Sequence, residues 1–333
     1  MTQFVENLMS RASKLSKTIA LAEGTDVRAA KAAEILTQKN VCKVVLIGNE
    51  EEIKTKFPEI DFTGVSFDDP KTSEHRAEYA NTLYGLRKAK GMTEEQALNI
   101  VTTNNMFYAC VALKRGDVDG VVGGAVFSSA DVSRAAFQVI KAAPGISSVS
   151  SCFVMVPPED FKYKKYPAYI FSDCAVIPYP TSDQLSDIVV AAADSAKKIC
   201  EMDPKIAMLS FSTKGSANHE SVEKVRVAYQ KVKEEHPDID VDGELQLDAS
   251  LVDSVANQKA PGSPVAGKAN VLVFPNLDAG NIGYKIAQRF GNCMAIGPIM
   301  QGLALPVNDL SRGCVAEDIA AVAAITALQS VKG

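Results

Sequence analysis

The sequence predicts an α/β protein of two domains, each a largely parallel sheet flanked by helices. Three observations predict it. Short apolar runs alternate with helical patterns almost throughout, the order that yields parallel sheets covered on both faces. At 333 residues the chain exceeds one typical core, so two domains are expected. The alternation breaks at KAAPGISS, around Pro144–Gly145, which marks a seam between two sets of elements.

The elements follow in order. KTIALAEG (17–24) reads as a strand leading into the helix DVRAAKAAEILTQ, and CKVVLIG (42–48) as a strand followed by the short helix EEIKTKF. A helical zone over 73–115 precedes the buried strand VDGVVGG (118–124). Beyond the seam come the strands CFVMVP (152–157) and AYIFSD (168–173), a long helix near 182–201 and the strand KIAMLSF (205–211). A helix near 219–235, the strand ANVLVFP (269–275) and an alanine-rich closing helix over 315–330 complete the set. A return seam is expected near Gly297–Pro298, so the domains are 1–145 plus 298–333 and 146–297. In such sheets ligands sit beyond the carboxyl ends of strands, which places the expected active site in the interdomain cleft.

Composition narrows the function. A chain with 47% hydrophobic and 23% charged residues is an ordinary globular protein, and its net charge of −5, with no basic run, argues against nucleic acid as partner. The opening MTQFVENLMSRASKLSKTIALAEG lacks a charged-then-apolar signal pattern. No stretch approaches the roughly 18 uninterrupted apolar residues of a membrane span. The seven cysteines are scattered without a CxxC pair, which indicates neither a zinc site nor a disulfide framework. A cytoplasmic, reduced protein without membrane association is expected.

Two nucleotide signals fail. No GxGxxG follows the first strand, and Gly262–Lys268 mimics a P-loop but places Ala269 where a magnesium-binding Ser or Thr belongs. More informative is GGAVFSSADVSRAA. Gly123 and Gly124 end a strand, Ser128, Ser129 and Asp131 open a helix and Arg134 lies in its first turns. Such a junction can hold a phosphate, and a capped helix with a solvated arginine is the plainer alternative. Arg87, in LYGLRKAKG, reads either as an exposed helix end or as an anion partner. In LSFSTKGSA a strand runs into a polar turn with Lys214 available for an anion. Glu244 and Asp248 lack a third ligand nearby, so no metal is expected. No Ser–His–Asp order emerges from His75, His219 and His236.

The densest chemistry lies in Pro306–Asp318, PVNDLSRGCVAED, where Ser311, Arg312 and Asp318 fall within eight residues around a strand-to-helix turn. Helix-start N–H groups and an Arg fork suit a phosphate, and a carboxylate one turn further in can take a proton. Together they suggest acyl or phosphoryl transfer. The alternative is local: Asp309 or Ser311 caps the helix, while Glu317 and Asp318 complement its dipole. Cys314 reads better as a small buried residue than as a nucleophile.

Taken in order, VDGVVGGA, SSADVSRAA, SFSTKGSA, DGELQLDA, APGSPVAGKANVLVFPNLDAGNIGYKIAQR and GPIMQGLALPVNDLSRG resemble the phosphate acetyltransferase (phosphotransacetylase) family from about residue 118 to 318. The resemblance implies reversible acetyl transfer between CoA and phosphate, with CoA as a substrate and no tightly bound cofactor. Acetyl phosphate, phosphate and acetyl-CoA are its other implied ligands. It also implies a homodimer whose two-domain subunits are similar in fold to the isocitrate and isopropylmalate dehydrogenases. Asp318 matches the family's base for the CoA thiol, Arg312 the arginine that binds the phosphate, and Ser311 a donor to the developing oxyanion or the thiol. Arg87 and Arg134 match arginines assigned to CoA; Ser128, Ser129 and Lys214 are taken as further substrate contacts.

Three rivals stand beside this reading. A phosphate butyryltransferase runs the same chemistry on a longer chain, and one or two methylenes are worth only ~1–3 kcal/mol in a pocket. An NAD-dependent decarboxylating dehydrogenase needs an aspartate metal cluster that the sequence does not display. A non-catalytic CoA-binding domain has no need of Ser311, Arg312 and Asp318 together.

Overall fold

The computed structural model describes residues 2–331. Helix α1 (Gln3–Ala12) is capped by Thr2, whose hydroxyl accepts the Val5 N–H. It leads to β1 (Thr18–Leu21), α2 (Val27–Gln38), β2 (Lys43–Ile47), α3 (Glu50–Lys56) and β3 (Val65–Asp68). Three helices follow, α4 (Arg76–Arg87), α5 (Glu94–Thr103) and α6 (Asn105–Arg115), then β4 (Gly120–Val122) and α7 (Ser129–Ala135). The next elements are β5 (Ser150–Val156), β6 (Tyr169–Ser172), α8 (Ser182–Cys200), β7 (Ile206–Leu209), α9 (Glu220–Glu235) and β8 (Val241–Leu245). Short α10 (Leu247–Leu251) and α11 (Asp253–Lys259) precede β9 (Val271–Val273), α12 (Leu277–Arg289), β10 (Met294–Gln301), β11 (Val307–Asn308) and α13 (Ala316–Gln329). No helix among the described residues is long and apolar enough to cross a membrane.

The chain divides into two compact units, Met1–Pro144 with Leu303–Gly333, and Gly145–Gly302. In the first, the strands run in the order β11-β4-β1-β2-β3, every neighbouring pair parallel. One face is covered by α6, whose Met106, Tyr108 and Val111 are fully buried beside Tyr79 and Leu83 of α4. On the other lies α13, which packs on α1, α2 and β4. Its buried alanines allow close approach, and Ile319, Val322 and Ile325 supply the bulk. Asn308 ties the strand to this helix by donating to Thr326 Oγ1 (2.8 Å) and Gln329 Oε1 (2.7 Å).

The second unit has the order β10-β5-β6-β9-β7-β8. Its β6, β7, β8 and β9 pair in parallel, whereas β5 is antiparallel to both neighbours, so this sheet is mixed at one end. A return seam is expected near Gly297–Pro298. Strand β10 runs through that dipeptide, with its register shifted between Ile296 and Ile299, and continues to Gln301. Proline is tolerated because the irregularity relieves the ladder of the missing donor. Gln301 then fastens the strand end inside the second unit, donating to Ala191 O (3.0 Å) and Ser195 Oγ (2.6 Å) and accepting from Ser150 and Ser172. The boundary therefore falls five residues later than the sequence reading, at Gly302 rather than Gly297.

Candidate active site

Because β11, β4 and β1 are adjacent, the loops leaving their carboxyl ends are neighbours, and these carry most of the candidate residues. The innermost is the β1–α2 loop. Glu23 directly follows the apolar strand and is only 6% exposed. Its carboxylate accepts four backbone N–H groups of the next loop: Gly124 (3.0 Å) and Ala125 (2.8 Å) on Oε2, Val126 and Phe127 (both 2.7 Å) on Oε1. A buried carboxylate needs such compensation. Sequence reasoning passed over Glu23; its one signal was an acidic residue placed directly at the end of a buried strand.

This revises the role expected of the glycine-rich loop. The N–H groups of residues 124–127, which face one point as in a phosphate cradle, are already taken by Glu23. Ser128 caps α7 by accepting the Asp131 N–H (3.2 Å), and its hydroxyl donates to Asp131 Oδ2 (2.7 Å). Arg134 is paired with Asp131 at 2.8 Å, and Ser128 first, then Arg134, hold that carboxyl below its ordinary range. Ser129 is exposed. Arg87 ends α4, and its buried Nε has no hydrogen-bond partner among the described residues.

The third loop carries Ser311 and Arg312, both exposed. Ser311 closes the turn, its carbonyl accepting the Cys314 N–H (2.9 Å) and its hydroxyl the Gly313 N–H (3.3 Å). The Arg312 guanidinium pairs with no carboxylate among the described residues, so its donors are open to an anion. Asp318 is half-buried in the first turn of α13, and its Oδ2 accepts the Val315 N–H at 3.0 Å. Burial raises its carboxyl above the ordinary 3.8, helped by Glu317 and opposed by that N–H. Asp318 therefore closes the start of α13 through the Val315 N–H and is also a carboxylate of raised basicity. Cys314 is a buried thiol pushed up to about 11, first by burial, which excludes a resting thiolate.

Between these loops lies Asp309, 2% exposed, whose Oδ1 has no hydrogen-bond partner among the described residues. Burial, together with the Glu23 charge, pushes its carboxyl up to about 6, against the Ser129 hydroxyl and the Leu310 N–H. The sign follows from linkage. A carboxyl raised in the folded state costs stability as pH climbs from the unfolded value of 3.8 towards about 6. Asp309→Asn keeps the shape and removes the ionisation. Relative to wild type it should gain up to about 3 kcal/mol between pH 4 and pH 7, at ~1.4 kcal/mol per unit. Denaturant titrations at the two pH values check this; an unchanged difference means that Asp309 does not titrate in this window.

Lys214 lies in the second unit and is committed there. Its ammonium is bonded to Asp242 and lies over the Tyr229 ring. Neighbouring Glu244 is engaged by Arg226 (3.0 and 3.1 Å), Ser212 and the Gly215 N–H. Although burial opposes the charge, these donors hold its carboxyl at about 2. Asp248 pairs with Lys259 at 2.8 Å. The GSPVAGK loop is likewise structural: Ser263 donates to Asp242 and accepts the Val265 and Ala266 N–H groups.

With this geometry in view, comparison with known proteins is decisive. The family model for phosphate acetyl/butaryl transferases matches residues 3–327. The chain belongs to this family. A phosphate acetyltransferase of Acetivibrio thermocellus is 51% identical over 327 residues, covering 98% of each chain. Among solved structures, a phosphotransacetylase from Streptococcus pyogenes superposes with a TM-score of 0.90 at 40% identity, covering 99% of both chains. A 4-hydroxythreonine-4-phosphate dehydrogenase from Klebsiella pneumoniae reaches a TM-score of 0.53 at 11% identity over 94% of this chain and 98% of its own. At that distance it shares the fold alone, in line with the dehydrogenase-like architecture expected for this transferase family.

Proposed function

We infer that this chain is a phosphate acetyltransferase, moving an acetyl group reversibly between CoA and inorganic phosphate. The observation that carries the reading is an open guanidinium, Arg312, in one loop with Ser311 and six residues before a carboxylate of raised basicity, Asp318. In the forward direction Asp318 takes the thiol proton of CoA. A free thiol has a pKa of roughly 8.5, so a positioned base raises the thiolate fraction at neutral pH. The sulfur attacks the carbonyl carbon of acetyl phosphate, a C–S bond forms, and the bond from that carbon to the bridging oxygen breaks, so that inorganic phosphate leaves with this oxygen. Ser311 donates to the oxyanion, a type of contact worth about 3 kcal/mol in acyl transfer. Arg312 neutralises the departing phosphate. No acyl-enzyme is needed, and Cys314, with its thiol pushed up to about 11, is a poor nucleophile for one.

Arg87 and Arg134 serve the phosphates of CoA. In support, among the described residues the Arg87 Nε is buried without a partner, and Arg134 is 56% exposed and paired with Asp131. Lys214, spent on Asp242, is left out of this assignment. A homodimer in the cytoplasm completes the proposal. Exposed Ile282 and Ile286 of α12 and Phe290, the residue that caps its C-terminus, form an i, i+4, i+8 stripe that a second copy can cover, and the mass in solution is the check.

The deciding experiment follows thioester formation from CoA and acetyl phosphate, with butyryl phosphate in parallel. Turnover with acetyl phosphate well above butyryl phosphate is expected. Activity with neither would leave a CoA-binding protein without this chemistry.

A further inference from the structure

Arg28 sits in the first turn of α2, outside every motif singled out in the sequence, and is 27% exposed as a side chain. Its hydrogen bonds account for the whole guanidinium. Nε donates to Asp26 Oδ1 (2.9 Å), and Nη2 donates to Asp26 Oδ2 (2.9 Å) and to the carbonyl of Ala125 (2.8 Å). Nη1 donates to the carbonyls of Arg312 (2.8 Å) and Cys314 (3.4 Å). A guanidinium has five N–H groups, and these acceptors, with Cys314 Sγ at 3.9 Å from Nη1, engage all three of its nitrogens. Asp26 itself is fixed as the α2 cap, its Oδ1 accepting the Arg28 N–H at 2.9 Å. Asp26 in turn keeps Arg28 firmly charged.

The contrast with Arg312, whose donors are open, separates the two arginines by role. Arg28 has nothing left for a substrate phosphate. What it does is join backbone to backbone: one planar group bridges the loop after β4, at Ala125, and the loop after β11, at Arg312 and Cys314. With Glu23 gripping the other side of residues 124–127, the β1–α2 loop holds both neighbours. A carbonyl clamped at 2.8 Å on Arg312 itself fixes the point from which that side chain reaches out.

We propose that Arg28 is a positioning residue for acyl transfer: its fork clamps the Arg312–Cys314 backbone to the Ala125 loop and so sets where Ser311 and Arg312 meet the acyl phosphate. The inference rests on the transferase reading above. Misplacement of a reacting group by about 1 Å can cost 100-fold, so the effect should fall on turnover rather than on binding. A lysine keeps the charge but has three donors on a flexible stem and cannot reproduce a planar five-way fork.

The test is Arg28→Lys, with wild type assayed alongside and activity expressed per folded molecule from circular dichroism. The expected result is a fall in kcat of at least 30-fold, with KM for CoA within about twofold and partial recovery on adding guanidinium ion. Asp26→Asn, which loosens the fork without removing it, should move kcat in the same direction and less far; it carries the test should the lysine variant not fold. A kcat within threefold of wild type in the folded variant would overturn the proposal. So would a raised KM for CoA at unchanged kcat, which would make Arg28 a substrate contact. An inactive wild type would instead strike the transferase reading itself.

Discussion

Asp318→Asn should lower kcat by about two decades or more while leaving the melting temperature within a few degrees of wild type. The isosteric change matters because Asp318 has two local roles. One carboxylate oxygen accepts the Val315 N–H at 3.0 Å and finishes the start of α13. An asparagine oxygen can do the same, so the cap survives, whereas the ability to take a thiol proton does not. Alanine would remove both and confound them, since losing a cap costs ~1 kcal/mol by itself. The pH profile supplies an independent readout. Burial raises the Asp318 carboxyl above 3.8, and a general base works only when ionised. Wild-type kcat should therefore fall as the pH drops through that raised value, and the residual activity of the variant should lack this limb. A loss of less than threefold with the limb intact would return Asp318 to its capping role and leave the base unassigned.

Sheets and helices are legible because they rest on periodicity. An alanine-rich run such as AEDIAAVAAITALQ has few other destinations than a closely packed helix. The strands that were missed are those whose pattern is weak or interrupted. Val65–Asp68 is a short edge strand, and Met294–Gln301 contains the Gly–Pro that reads as a boundary but lies inside a strand. Its place is decided by Gln301, whose partners come from distant parts of the chain and leave no local trace.

The site divides in the same way. Ser311, Arg312 and Asp318 stand out as candidates because they cluster in sequence around one turn. Glu23 and Arg28 do not, since each acts on backbone about one hundred or nearly three hundred residues away, and backbone acceptors carry no side-chain signature. The glycine-rich loop misled for a related reason. Its N–H groups are indeed gathered towards one point, as a phosphate cradle requires, but the anion at that point is the protein's own Glu23. Lys214 shows the converse, an exposed-looking cation in a polar turn whose counter-charge, Asp242, sits on the adjacent strand.

Gly124→Ala should be the most destabilising single-methyl change in the first unit, by roughly 2–5 kcal/mol. Two costs combine. The backbone there has φ +111°, in a region that a side chain enters at about 1–2 kcal/mol. A methyl group would also meet the Asp309 carboxylate and come within 2.7 Å of the Leu310 nitrogen. These neighbours are a buried side chain and backbone, so nothing flexible can yield, and overpacking of this kind costs a further ~1–3 kcal/mol. Gly116→Ala is the control. It too has a positive φ, +89°, at the end of α6, but an added methyl meets nothing within 4 Å. Its loss should stay near 1 kcal/mol, so most of the excess at Gly124 measures the clash. Because Leu310 precedes Ser311, any relief of that clash must move the Ser311–Arg312 turn on which the proposed chemistry depends. The folded fraction of Gly124→Ala should therefore also turn over more slowly, whereas Gly116→Ala should match wild type. Equal losses at both glycines in denaturant titrations would show that the Asp309 loop is free to retreat, and that the contact between the two loops is looser than the bridging hydrogen bonds of Arg28 require.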